Sequence, residues 1–140
     1  MMSQPIRLLA LLPLLLLLTA GSCYHQPVVK VRSYQDQPLI LPTRDSSWLV
    51  INYWASWCEP CLEEIPELNR LAQSADDVQV WGIDFDNPTS ADALGRKIHT
   101  LGIEFPVVLP EDVPLLGLDQ PQVLPATYLI APDGLSLIHI

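Results

Sequence analysis

The chain has 140 residues, the size of one domain, with 49% hydrophobic and 16% charged residues and a net charge of −9. Sixteen acidic residues stand against seven basic ones. No cationic run exceeds the pair Arg96-Lys97, which excludes nucleic acid as a partner, because phosphate contacts need clustered Lys and Arg.

The hydrophobic fraction is inflated near the start. Leu8 to Leu18 holds nine leucines in eleven positions, with Arg7 before it and Thr19-Ala20-Gly21-Ser22 after it. A basic residue, a short apolar run and small residues form the pattern of a secretory signal peptide, assigned to residues 1–22. The run falls short of the ~20 apolar residues a membrane-spanning helix needs. Residues 23–47 read as a tether and lead-in rich in Pro, Gln, Ser and Asp, within which Val28 to Val31 is strand-like.

A folded domain is expected over residues 48–134. Trp48 to Trp54 (WLVINYW) is β-branched and aromatic, as a buried strand should be. After a turn, Leu62, Ile65, Leu68, Leu71 and Ala72 recur at helical spacing. Pro60 suits the helix start, whereas Pro66 removes an internal hydrogen bond and predicts a kink. Val78 to Phe85 is a second buried strand. Thr89 or Ser90 caps a further helix with Leu94, Ile98 and Leu101 inside and Gly102 at its end. Phe105 to Leu109 predicts a short strand, and Pro110 to Pro121 a loop with one helical turn at Val113 to Leu118. Ala126 to Ala131 predicts another strand before a turn at Pro132-Asp133-Gly134. This alternation is an α/β pattern with a partly parallel sheet.

The chemistry rests on Cys58 and Cys61, in Trp57-Cys58-Glu59-Pro60-Cys61 at a strand-to-helix junction. Free N–H groups and the helix dipole there stabilise a thiolate, the species that attacks disulfides. Cys61 follows one turn later and can resolve a mixed disulfide. A structural bridge is an alternative, although so short a loop stabilises little. A metal site is another, but it needs about four ligands. His25, His99 and His139 have no ligand-like spacing, so no metal and no separate cofactor are expected.

Asn52 to Cys61 (NYWASWCEPC) resembles the active-site strand and helix of thioredoxin-fold proteins. Within them it is most similar to the TlpA/ResA/DsbE-like thiol–disulfide oxidoreductases. Leu124 to Ile130 (LPATYLI) with Pro132-Asp133-Gly134 is similar to that family's cis-proline strand, and Leu101 to Val108 is a weaker third block. The resemblance implies a central mixed sheet flanked by helices, with Cys58 attacking and Cys61 resolving. It implies a cis Pro125 facing the pair, and substrate contacts at Trp57, Leu124 and Pro125. It also implies that Glu64, three residues after Cys61, tunes the cysteines' protonation, with Glu63 as its rival. Implied partners are protein disulfides, apocytochrome c among them, and a membrane thiol electron donor. Asn52 departs from thioredoxin itself, which has a buried Asp there. Glu59 beside Cys58 disfavours its thiolate and so favours a reductase over a strong oxidase. A disulfide oxidase or isomerase and a non-catalytic binding module remain alternatives. A peroxiredoxin-like peroxidase would set its attacking Cys behind a Thr, an arrangement Ala55-Ser56-Trp57 does not supply.

Ala20-Gly21-Ser22-Cys23 resembles a bacterial lipobox, with Ala20 where Leu is usual. Lipidation of Cys23 is expected, anchoring the protein to a membrane in the periplasm or cell envelope. At the other end, residues 135–140 (LSLIHI) match the translation of a transposon end used in library preparation. They are expected to be foreign to the protein, with the domain's final strand and helix missing.

Overall fold

The computed structural model describes residues 27–41, 47–134 and 136–139. The chain runs β1 (Val29–Arg32), β2 (Pro38–Leu41), β3 (Trp48–Trp54), α1 (Glu59–Ser74), β4 (Val78–Asp84) and α2 (Ala91–Leu101). A 3₁₀ helix at Pro110–Leu116, β5 (Ala126–Ile130) and β6 (Ser136–His139) follow. The main sheet has the order β4-β3-β5-β6. β3 pairs parallel to β4 and antiparallel to β5, and β5 pairs antiparallel to β6, so the sheet is mixed.

β3 divides the core in two by the alternation of its side chains. Val50 and Trp54 enter one buried cluster with Ile65 of α1 and Leu94 and Ile98 of α2. Leu49, Ile51 and Tyr53 enter the other, with Trp81 and Ile83 of β4. Asn52 lies on the helix-facing side by the same alternation, and it is fully buried.

The opposite face is covered by a segment that the sequence had placed outside the domain. β1 and β2 form an antiparallel hairpin, Val29 opposite Leu41 and Arg32 opposite Pro38. It buries Val31, Leu39 and Leu41 in the second cluster together with Leu116 of the 3₁₀ helix. Arg32 fixes the two pieces to each other. Its backbone N–H, Nε and Nη2 all donate to Asp112, at 2.8, 3.0 and 3.1 Å. The domain therefore starts before Trp48, and the tether assigned to 23–47 is corrected over 27–41. Short strands carrying Pro38 and polar turn residues look like linker until their distant partners are known.

Three further differences have local causes. The expected strand at Phe105 to Leu109 reduces to isolated bridges, Val107 to Gly82 and Val108 to Ser33. Pro106 has no N–H to donate, so its carbonyl alone serves β4, accepting from Gly82 N at 2.8 Å. Gly82 permits that approach: a Cβ there would stand 2.8 Å from the Phe105 ring. The helical turn expected at Val113 to Leu118 is a 3₁₀ helix that starts earlier, at Pro110, and is closed by Gly117 in the left-handed region, φ 65°. Ser136–His139 pairs with β5 despite being assigned outside the domain. An open strand edge accepts any extended segment, because ladder hydrogen bonds are made by the backbone. α1 continues through Pro66. α2 is capped by Ser90, whose Oγ accepts from Ala93 N, and ends at Gly102 with φ 64°.

Candidate functional site

β3 ends at Trp54, and the chain turns directly into α1 with Cys58 as the N-cap. Cys58 Sγ accepts a hydrogen bond from Cys61 N at 3.3 Å. The sulfur thus sits where the first turn of the helix offers unsatisfied N–H groups. Pro60 fits the first turn, where a missing N–H costs nothing. Cys58 and Cys61 are joined by a disulfide with Cα atoms 5.3 Å apart. Cys58 retains 5% exposure and Cys61 none. The asymmetry gives an incoming molecule access to Cys58 first.

The Leu124-Pro125 peptide bond is cis. It immediately precedes β5, whose first residue Ala126 pairs with Tyr53. The cis bond therefore lies level with the end of β3 from which the cysteine loop departs. Leu124 packs on the cluster that contains Cys58 and Cys61. Cys58, Cys61, Leu124 and Pro125 are thus brought to one end of the sheet.

Glu64 is tied to the sheet through an unexpected residue. Asn52 Nδ2 donates to Glu64 Oε2 at 3.4 Å and to Thr127 Oγ1 at 3.1 Å. One buried amide links β3, α1 and β5. Its Oδ1 is buried without a partner. Glu63 and Glu64 both line a shallow groove with Leu68 and Thr127, but Glu63 is exposed and Glu64 half-buried. Of the two, Glu64 is the one that accepts from Asn52.

On the other side of Cys58, Trp57 is 64% exposed. Its Nε1–H donates to Asp86 Oδ1 at 2.9 Å, and its ring meets Phe85 edge-on at 6.2 Å. Lys97 Nζ bridges Asp84 and Asp86 at 2.8 and 3.0 Å. The Trp57 hydrogen bond, then Lys97, hold the Asp86 carboxyl below the usual range against partial burial. Burial works to lower the Lys97 pKa, but the two aspartates outweigh it and raise it. Burial pushes the neighbouring Tyr53 phenol up to about 12.

Nothing in the sequence had singled out Asp84, Asp86, Lys97 or Thr127 as site residues. One signal was available: Asp84 is a charged residue inside a buried strand, and such charges are seldom left unpaired. Cys23 and the signal-like segment 1–22 lie outside the described residues. Among the described residues no helix is long and apolar enough to cross a membrane. Among them too, no group of three or more His, Cys, Asp and Glu side chains is placed to hold a metal ion.

The chain is similar to ResA of Bacillus anthracis, a thiol-disulfide oxidoreductase, at 30% identity over 84 residues, covering 60% of this chain and 49% of that protein. It is also similar to the thiol:disulfide interchange protein DsbE of Pasteurella multocida, at 36% over 92 residues, covering 65% and 48%. The chain spans about half the length of the curated relatives it matches. Among solved structures, StoA from Bacillus subtilis superposes with a TM-score of 0.67 at 18% identity, covering 81% of this chain and 87% of that one. The pneumococcal exposed lipoprotein thioredoxin from Streptococcus pneumoniae gives 0.65 at 19%, covering 81% and 88%. The fold is therefore thioredoxin-like, as the cysteine and cis-proline blocks implied. The family model described as AhpC/TSA matches residues 25–135. That span includes the hairpin, the cysteine pair and the cis-proline strand, and on it the chain belongs to the AhpC/TSA family.

Proposed function

We propose that the protein is a thiol–disulfide oxidoreductase that reduces disulfides of proteins in the bacterial cell envelope. The observation that carries this reading is the Cys58–Cys61 disulfide at the start of α1, level with the cis Leu124-Pro125 bond.

In the reduced enzyme the Cys58 thiolate attacks one sulfur of the substrate disulfide. One substrate thiolate leaves, and a mixed disulfide forms. Cys61 loses its proton and attacks Cys58 Sγ. The second substrate thiolate leaves, and the enzyme bridge closes. The substrate gains two electrons, which the enzyme loses; of the two protons its thiolates take up, one is the Cys61 proton and the other comes from water. Glu64, held by Asn52, takes or relays the Cys61 proton in the resolving step. Trp57, Leu124 and Pro125 contact the substrate, whose backbone adds beside the cis-proline segment. A membrane thiol donor then re-reduces the pair; apocytochrome c is a candidate substrate. A signal over residues 1–22 exports the chain, and lipidated Cys23 anchors it to the membrane. Mass spectrometry of the mature N-terminus tests the anchor, and an unmodified end refutes it.

Activity is tested by insulin reduction with a coupled reductant, using Cys58→Ser as control, together with the equilibrium redox potential. The reductase reading expects turnover that the variant abolishes, and a reducing potential. A strongly oxidising potential would assign an oxidase or isomerase instead. No turnover with an intact, exchangeable pair would assign a binding module.

A further inference from the structure

Trp57 combines two properties that rarely coincide. It is 64% exposed, yet its only polar atom and one ring edge are both engaged. An exposed indole ordinarily moves among rotamers, and fixing it costs entropy that some partner must offset. Here the partner is Asp86, and Asp86 is itself fixed. Its carboxylate receives Lys97 at 3.0 Å, and its backbone N–H donates to Asp84 Oδ1 at 3.0 Å. Lys97 in turn is anchored on Asp84 Oδ2 at 2.8 Å. The Asp84 side chain is 2% exposed. A carboxylate buried that deeply needs its cation, which keeps Lys97 in place. The series runs from a buried strand end, through α2, to the side chain next to Cys58.

We infer that Asp86, braced by Lys97 and Asp84, is a positioning residue that latches Trp57 as a preformed apolar contact for the protein substrate beside Cys58. This role rests on the disulfide-exchange function proposed above. The latch leaves the indole's open face to meet a substrate, and no rotamer has to be selected when the substrate arrives. Preorganisation of this kind improves binding by removing an ordering cost, without acting on the reacting sulfurs. Asp86 thus governs capture of a large substrate, and its loss raises KM far more than it lowers kcat.

The test uses Asp86→Ala and Asp86→Asn in the full chain, each alone and combined with Trp57→Phe. The first readout is the Trp57 indole N–H resonance, identified by its loss in Trp57→Phe. It requires no activity. In Asp86→Ala this signal should shift and its exchange with water should accelerate several-fold. Asp86→Asn, which keeps an acceptor oxygen, should fall between. The second readout is insulin reduction. Asp86→Ala should raise KM about fivefold with kcat within twofold, and should add nothing further in the Trp57→Phe background. An unmoved indole signal in Asp86→Ala overturns the latch, and a moved signal with unchanged KM overturns its role in capture. A KM effect that persists undiminished in the Trp57→Phe background also overturns it, because Asp86 would then be acting elsewhere. If the wild type reduces no protein disulfide, the function fails and the capture role with it; the indole signal still decides whether the latch exists.

Discussion

Asn52→Asp puts a second carboxyl where a buried amide now holds Glu64. Asn52 is fully buried, and its Nδ2 lies 3.4 Å from Glu64 Oε2. Two carboxylates at that separation repel by about 5 kcal/mol at an effective dielectric constant of about 20. Glu64 is half-buried, so solvent screening reduces this to about 2–3 kcal/mol. Burial of the new carboxylate adds a penalty of the same sign. The pair therefore keeps one proton in the folded state at pH values where the unfolded chain, with an aspartate pKa of ~3.9, has lost it. The folded state then binds more protons than the unfolded state, and stability falls as pH rises. Urea unfolding should find the variant close to wild type near pH 4 and at least about 2–3 kcal/mol less stable by pH 8. Adding Glu64→Gln should recover the coulombic part and leave only the burial part. A stability difference that does not vary with pH, or one that Glu64→Gln leaves untouched, would refute the placement of Asn52 against Glu64.

Three other outcomes follow from the same geometry. Glu64→Gln should shift the pH profile of cysteine alkylation in the reduced protein; an unchanged profile removes Glu64 from the proton transfer. Gly95→Ala should destabilise by about 1–2 kcal/mol, although alanine favours a helix by about 1 kcal/mol. A Cβ there would stand 2.1 Å from Tyr34 Oη, and Tyr34 packs on the core. The sign should reverse in a Tyr34→Ala background, and a higher Tm for Gly95→Ala in the wild-type background would contradict the docked hairpin. Asp112 is held below the usual aspartate range by its hydrogen bonds and charge pairing with Arg32, against the effect of burial. Its stabilising contribution is present above an ordinary aspartate pKa of ~3.9 and is lost as pH falls toward the depressed folded value. Asp112→Asn should therefore flatten the acid limb of a stability profile measured below pH ~4.

What the sequence disclosed depended on how local the physics was. WLVINYW gave both ends of β3 because a buried strand is written in consecutive apolar residues. Thr89 or Ser90 and Gly102 bounded α2 in the sequence, and Ser90 is the cap, because capping depends on neighbouring residues. The cysteine pair was legible from spacing, whereas the cis state of Pro125 came from resemblance alone, since an X-Pro sequence does not reveal its isomer. The first strand of the hairpin was legible at Val28 to Val31, but its pairing and docking were missed because its burial depends on β4 and the 3₁₀ helix, far along the chain. Asp86 was missed because its partner Trp57 is 29 residues away. Asn52 was noticed only as a departure from thioredoxin. Its role in joining Glu64 to Thr127 emerges once β3, α1 and β5 are adjacent.

The central claim is that Cys58 attacks and Cys61 resolves. Trapping tests it most directly. Reduced Cys61→Ser protein, mixed with oxidised insulin and quenched with acid, should accumulate a mixed disulfide that mass spectrometry maps to Cys58. Cys58→Ser should accumulate none, because the remaining sulfur is fully buried. An adduct through Cys61 in Cys58→Ser, formed as fast as the Cys58 adduct or faster, would contradict the assignment.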